Sequence, residues 1–506
     1  MKVLYIAAEC KPFSKAGGVG DVAGELPVAL KAQGVDIEVV TPWYGPRPPG
    51  AATTFQVPFH GAVEDVAVES AELKGVGVHL VRNATYFETD YTREPRRPAP
   101  GDPYLFRRDY SKPYVDSEPI PFHDDVLRFS FFSEACIEVI ERRRPDIVHV
   151  NDWVLGFLFG RMAMKRMPQK RVLTIHNIGY QGNIGRASVA GWDLEAIARS
   201  EVGPLFADPR TQWASVNPLR LAMELADRAN TVSPTYMKEM TQPEDRARYF
   251  EGGKGLHETA ARLARERKLH GILNGFEYST APGDDAFRAA LEEKAAMRAA
   301  LAGSFPQPAG TLLGFVGRAV EQKFRLLTER LEGRSVMEHI LSLPGINVAM
   351  VATGLPEYER FMRRFQGRPN FSATIGFDRA LARRVSLGAD VFLMPSLFEP
   401  CGITQMESLS CATPPLVRWT GGLVDTVKPH TGPGGTGFGF DGATAPDVLR
   451  NLVGSVAEAA RIHREAPQHF RAMQRRGFDE RFPWSTSARR YIQELYEPAM
   501  AGRRAG

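Results

Sequence analysis

Short runs rich in Val, Ile, Leu and Phe alternate with longer segments of helical periodicity along most of the chain, and this alternation constrains the fold more than any other feature. In the first half the runs read "KVLYIAA", "DIEVVTP", "VGVHLVR", "DIVHVND", "RVLTIHN" and "NTVSP". In the second half they read "TLLGFVGR", "INVAMVATG", "FSATIGF", "DVFLMPS" and "PPLVRW". Nearly continuous apolar runs suit parallel strands covered by helices on both faces. Helical patterns at 127–142, 155–165 and 444–464 lie between them. The expectation is an α/β fold with doubly wound parallel sheets, and the runs are enough for two of them. A chain of 506 residues has room for both. The break is expected near "KLHGILNGFEYS", giving domains over 1–269 and 270–485.

Several classes of function are set aside by composition. A formal charge of +4 on this length gives no reason to expect nucleic acid or a membrane surface, so an anionic ligand must be met by a local cluster of cations. Cys10, Cys136, Cys401 and Cys411 are scattered and form no CxxC pair, which argues against a zinc site and a disulfide framework. The opening "MKVLYIAAECKPF" reads as a first strand rather than a signal peptide, and no stretch approaches eighteen uninterrupted apolar residues. A cytoplasmic protein is expected. Two segments read as loops: the proline-rich excursion "REPRRPAPGDPYLFRRDYSKPY", and "KPHTGPGGTGFGFDG", expected to be a mobile surface loop.

Polar clusters mark the carboxyl ends of the runs, where open α/β sheets collect ligands: Lys15 to Asp21, His149 to Trp153, His176 to Gln181, Ser233 to Tyr236, Arg318 to Lys323 and Glu399 to Glu407. Gly18-Val-Gly20-x-x-Ala23 fits a loose dinucleotide fingerprint with Glu38 downstream, but the glycines begin too far past the strand and Glu38 sits inside one. A long glycine loop with Lys15 suits an anion better, because glycine lets backbone N–H groups approach it and the next helix N-terminus adds partial positive charge. Arg318 and Lys323 can hold a diphosphate and stabilise it as it leaves. In "MPSLFEPCGITQMESLSC", Gly402, Ile403 and Thr404 would open a second anion-binding helix. Glu407 would be helical there, while Glu399 lies in the loop, free to accept from sugar hydroxyls.

"KAGGVGDV", "VNDW", "TIHNIGYQG", "ADRANTVSPTYMKEM", "GILNGFEY", the Arg318-x4-Lys323 pair, "MPSLFEPCGITQ" and "TGGLVDTV" occur in the order and at the spacing of one family. Together they resemble the bacterial glycogen synthases and plant starch synthases over nearly the whole chain. The resemblance implies a GT-B fold, two Rossmann-like domains facing across a deep cleft, with a last helix near 486–506 returning to the first domain. It implies retaining transfer of glucose from ADP-glucose to the non-reducing end of an α-1,4-glucan, with no cofactor and no metal. Lys15, Gly17 and Gly18 would face the donor, with Asp21 near the sugar or acceptor. Arg318 and Lys323 would neutralise the diphosphate, Gly402, Ile403 and Thr404 meet a phosphate, and Glu399 hold glucose hydroxyls. His176 and Asn177 would lie against the reacting sugar, Asn274 and Cys401 on the donor side, and Phe377 against the base. Cys401 is expected to pack rather than react. Asp152, Trp153, Tyr180 and Glu407 would serve the acceptor or sugar side.

The chain departs from this family at Val154, where histidine is common, at Phe324, where glycine is usual, and at Glu407, where tyrosine is usual. It also has Phe276-Glu277 after "NG" and a distinct segment near 90–121. A GT-B transferase using UDP-glucose or another acceptor, and a non-catalytic glucan-binding relative, are the alternatives. Oligomeric state is not legible.

Overall fold

The computed structural model describes residues 1–15, 17–44, 52–87, 125–185, 193–210, 215–306, 310–376 and 378–501. The excursion near 90–121 and Phe377 lie outside the described residues. The first half supplies β1 (Lys2–Ile6), β2 (Asp36–Pro42), β3 (Ala52–Phe59), β4 (Ala62–Leu73), β5 (Val76–Arg82), β6 (Ile147–Asn151) and β7 (Lys170–Ile175). A short ribbon, β8 (Ile184–Gly185) with β9 (Ser215–Val216), precedes β10 (Arg228–Thr231) and β11 (Leu269–Gly271). Nine of these strands form one sheet in the order β11-β10-β7-β6-β1-β2-β5-β4-β3. The second half supplies β12 (Thr311–Ala319), a small ribbon β13 (Arg330–Leu331) and β14 (Arg334–Ser335), then β15 (Ile346–Gly354), β16 (Phe371–Ile375), β17 (Val391–Met394), β18 (Pro415–Arg418) and β19 (Phe438–Phe440). Its sheet runs β16-β15-β12-β17-β18-β19, all parallel. Renumbered within that sheet, this is 3-2-1-4-5-6, the dinucleotide-fold order. The first sheet has the same centre, with a hairpin added at one edge.

The near-continuous runs became central strands buried on both faces: every residue of β6 and of β17 is buried. The helices expected at 127–142, 155–165 and 444–464 are Asp125–Arg143, Gly156–Met164 and Ala445–Glu465. The β3–β4 hairpin was not expected from the sequence. It and the β4–β5 pair are antiparallel. Each is closed by two residues of positive φ, His60-Gly61 and Lys74-Gly75, as a type I′ turn demands. Neither pair is the Asn-Gly or Asp-Gly signal that marks such turns in a sequence.

The glycine-rich stretch at the end of "KPHTGPGGTGFGFDG" is corrected as well. Phe438 and Phe440 are buried in the edge strand β19. A Cβ on Gly439 would stand 2.3 Å from the Trp419 indole, and one on Gly437 2.5 Å from the Pro415 carbonyl. These glycines serve close packing, not mobility.

The two sheets are tied together at several places. Phe276 N donates to the Phe482 carbonyl at 2.7 Å, where the chain crosses out and back. Buried Arg418 donates to the carbonyls of Arg248 and Tyr249, each at 2.8 Å. Thr235 donates from N and Oγ1 to Asp425 at 2.9 and 2.8 Å. After the second crossing, the segment from Trp484 to Ala501 packs its Trp484, Tyr491, Leu495 and Tyr496 into the core beside β1. Among the described residues no helix is long and apolar enough to cross a membrane.

Beneath the first sheet, that last segment meets a fully buried polar network. Thr174 Oγ1 donates to Asn230 Oδ1 at 2.7 Å, so it must accept from His149 Nε2 at 2.8 Å. His149 Nδ1 then accepts from the Tyr496 hydroxyl at 2.8 Å. Burial holds the imidazole neutral, pushing its pKa down to about 3. Tyr496→Phe would leave Nδ1 buried without a donor, a loss of about 1–3 kcal/mol. Its urea midpoint should fall with the slope unchanged; an unchanged midpoint would show the contact contributes nothing.

Candidate active site

In a parallel sheet wound in both directions, the crevice opens beyond the carboxyl ends of the two strands where the order reverses. In the first sheet these are β1 and β6, and a cavity of about 200 Å³ lies there, lined by Glu9, Tyr44, Asp152, Trp153, Val154 and Tyr180 among others. Glu9 follows β1 and Asp152 follows β6 directly. Sequence reading missed Glu9; its position three residues past a buried strand and just before the glycine loop was the available signal.

Glu9 changes the reading of that loop. Its carboxylate accepts from Gly17 N at 3.0 and 2.9 Å and from Gly20 N at 3.0 Å. The glycines therefore wrap an anion as expected, but the anion is the protein's own side chain, and the Gly17 amide is not open to a donor. Gly18 is exposed, with nothing within 4 Å of where a Cβ would stand. Lys15 is not free either: Nζ sits 2.7 and 2.6 Å from the Asp21 oxygens, with Lys11 at 3.7 Å. Glu38 is engaged by Arg143 and Lys2 through ion pairs, which removes the dinucleotide reading.

Asp152 holds a left-handed φ of 57°, uncommon for a residue with a side chain. Its carboxylate accepts from the His176 amide at 2.7 Å. Burial raises its pKa to about 7, against the amide hydrogen bonds from His176 and Asn177. Asn151 Oδ1 can only accept, from Tyr5 at 2.9 Å and from His176 Nε2 at 2.9 Å. His176 thus carries its proton on Nε2, and burial lowers its pKa to about 4. The Asn177 side-chain oxygen accepts from Gly179 N at 2.8 Å. Tyr180 is 61% exposed over the cavity. Gly182, at φ 69°, lies so flat on the Trp153 indole that a Cβ would be 2.0 Å from its ring.

The second sheet reverses between β12 and β17. Arg318, at the end of β12, is exposed, and its guanidinium makes no ion pair among the described residues. Lys323, on the helix Glu321–Thr328, lies 3.4 Å from Glu399 Oε2. Ser396 Oγ donates to the same oxygen at 3.2 Å. Glu399 was expected free in a loop; it is in the loop, but buried and paired.

Gly402, Ile403 and Thr404 lead into the helix Thr404–Ser410, whose first amides have no intrahelical acceptor. Gln405 fixes this turn by donating to the Cys401 and Gly402 carbonyls and to Thr426 Oγ1, each at 3.0 Å. Gly421, at φ 48°, and Gly422 press on it from behind. A Cβ on Gly421 would stand 2.1 Å from the Glu399 carbonyl, which accepts from Gly422 N at 3.0 Å. That contact explains the two adjacent glycines of "TGGL". The Cys401 thiol is buried with Val232 and Met406, and burial pushes its pKa up to about 12. Asn274 is buried, with Oδ1 lacking a partner among the described residues. Phe324 points away from these groups into the core, against Phe315 and Phe361; its departure from glycine is absorbed by packing.

Glu407 stands within electrostatic reach of the glycine loop of the first domain. It is exposed on its helix, and partial desolvation raises its pKa. Arg383 and Lys15 oppose that rise and Asp21 adds to it. A carboxylate of the second domain thus feels the glycine-loop charges of the first across the cleft.

A family model described as the starch synthase catalytic domain matches residues 2–262 of this chain, and a model for glycosyl transferases group 1 matches residues 374–466. The glycogen synthase of Anaeromyxobacter sp. (strain Fw109-5) is 36% identical, over 99% of this chain and 100% of the relative. Glycogen synthase 1 of Methylococcus capsulatus is 32% identical, over 100% and 98%. The catalytic domain of starch synthase IV from Arabidopsis thaliana, solved bound to ADP and acarbose, matches with a TM-score of 0.77 at 25% identity, over 99% of each chain. A sucrose-phosphate synthase from Thermosynechococcus elongatus shares the fold, with a TM-score of 0.57 at 16% identity.

Because burial raises the Asp152 pKa above its unfolded value, the group favours the fold at low pH. That contribution is lost as pH climbs from 3.8 to about 7. Asp152→Asn keeps an acceptor for His176 and cannot ionise. Its urea midpoint should therefore rise relative to the parent chain across that window; a constant difference would mean Asp152 titrates normally.

Proposed function

The chain belongs to the glycogen synthase and starch synthase family, and on that premise we propose that it transfers glucose from ADP-glucose to the non-reducing end of an α-1,4-glucan, retaining the anomeric configuration. The observation that carries this reading is the facing of two strand-order crevices, one ending in Arg318, Lys323 and Glu399, the other in Glu9, Asp152, Trp153 and Tyr180. The first has the chemistry for a diphosphate. The second, with carboxyl groups and aromatic faces, has the chemistry for a sugar chain.

In this reading the donor diphosphate enters beside Arg318 and draws Lys323 away from Glu399. Glu399 is then free to accept from glucose hydroxyls. The first-turn amides of the helix Thr404–Ser410 meet a phosphate. Lys15 exchanges Asp21 for the same diphosphate, with Gly18 allowing close approach. As the bond from the anomeric carbon to the diphosphate oxygen breaks, negative charge grows on the leaving group, where preformed cations act most strongly. No protein acid is required, because a neutralised diphosphate leaves readily. The acceptor hydroxyl attacks from the same face and passes its proton to the departing phosphate. His176 and Asn177 line the reacting sugar and Asp152 orients the acceptor end. Arg318 and Lys323 supply the charge without a bound metal. Support for an adenosine donor comes from the Arabidopsis relative, which was solved with ADP.

Incubation with glycogen and labelled ADP-glucose or UDP-glucose tests this directly. Label should enter polymer from ADP-glucose, and chelation of divalent ions should leave the rate unchanged. Equal use of UDP-glucose would sink the donor assignment, and no label from either would sink the whole reading. Arg318→Ala and Lys323→Ala should each lower kcat by about 10²-fold or more; the urea midpoint should be preserved in Arg318→Ala and should fall in Lys323→Ala, which leaves buried Glu399 without its cation.

A further inference from the structure

The loop 176–181, which carries His176, Asn177 and Tyr180, has no regular secondary structure, yet its Ile178 peptide is held on both sides. The Ile178 amide donates to the Tyr236 phenol at 3.1 Å, and the phenol donates to Glu251 Oε2 at 3.1 Å. The Ile178 carbonyl accepts from Gln181 Nε2 at 2.9 Å, and the same amide group reaches the Lys254 carbonyl at 3.0 Å. The other Glu251 oxygen lies under Gly179, where a Cβ would stand 2.8 Å from it. Tyr236 and Glu251 are 1% and 7% exposed, and neither lines the cavity at Asp152. Such a pair acts on a ligand only through the loop it holds.

The element that carries Tyr236 has a second attachment. On the helix Pro234–Met240, Thr235 binds Asp425, and Glu239 accepts from Gly421 N at 2.9 Å. Ser233, its N-cap, donates to the Pro400 carbonyl at 2.6 Å. Those partners, Pro400, Gly421 and Asp425 on the helix Gly422–Thr426, surround the Glu399–Gly402 turn. Near Glu251, the Tyr249 carbonyl accepts from Arg418 of the second domain. One short helix and the segment after it therefore grip the sugar-side loop on one side and the nucleotide-side loops on the other.

We infer that Tyr236 and Glu251 are positioning residues for the acceptor, holding the loop 176–181 over the Asp152 pocket from a helix anchored to the nucleotide-side loops. The inference rests on the function proposed above in taking that acceptor to be a glucan. Burial also raises the Glu251 pKa to about 8, against the pull of Lys254 and the Tyr236 hydrogen bond and with a further push from Glu239 and Glu244. A neutral group suffices at this position, since all that Tyr236 needs from it is an acceptor.

Calorimetric titration of the full chain with maltoheptaose, and separately with ADP, tests this. Tyr236→Phe and Glu251→Ala should weaken maltoheptaose binding about five- to tenfold, as loss of one buried hydrogen bond implies, and leave ADP binding within about twofold. Glu251→Gln, which still accepts from the phenol, should restore maltoheptaose affinity to within about twofold of the parent chain. A purely structural role would lower the urea midpoint of the first two variants without moving the maltoheptaose affinity, and that result overturns the inference. So would equal weakening of ADP, a Gln variant that behaves like the Ala variant, or a parent chain that does not bind maltoheptaose. A parent chain that binds maltoheptaose yet transfers no glucose would sink the proposed reaction while leaving this role to stand on the binding data.

Discussion

A parallel strand needs a crossover before the next one can pair with it, and where successive crossovers switch to opposite sides the sheet parts at its carboxyl edge. Both sheets of this protein part in that way, at β1–β6 and at β12–β17. Every group argued to touch a ligand depends on that opening. Glu9 and Asp152 stand at the first crevice, and Arg318, Lys323 and Glu399 at the second. The crevices face each other because residues 233–249 and 400–425 are joined by hydrogen bonds between buried or half-buried partners.

The cleft satisfies most of its own charge. Lys15 rests on Asp21, Lys323 rests on Glu399, and the glycine-loop amides rest on Glu9. A buried carboxylate left without a donor would be costly, so these pairings hold the site in shape. In the reaction proposed for this chain, a diphosphate competes with these carboxylates for Lys15 and Lys323. Arg318 differs: it is exposed and makes no ion pair among the described residues.

The chain's return to the first domain has a physical reason of its own. His149, Thr174 and Asn230 are polar, buried and set on adjacent strands, and the hydroxyls of Tyr491 and Tyr496 complete their hydrogen bonds. Without that segment the underside of the sheet would carry unpaired polar groups, which makes the last helical stretch part of the first domain's core although it follows the second domain in sequence.

Much of this was legible along the chain. The apolar runs announced the central strands because double-sided burial leaves no room for polar alternation, and the glycine, lysine and glutamate clusters fell at strand ends because that is where backbone leaves the sheet. Spacing alone put Glu407 on a helix. The hairpin β3–β4 and its continuation into β5 were hidden because their turns, His60-Gly61 and Lys74-Gly75, satisfy positive φ without the usual signal. Only the folded chain decided which partner each charge takes: that Gly17 serves Glu9, that Lys15 rests on Asp21, and that Tyr236 holds a loop far from it in sequence. Periodicity reports which face of an element is buried, but pairing depends on distances between elements, and those exist only once the sheets have closed on one another.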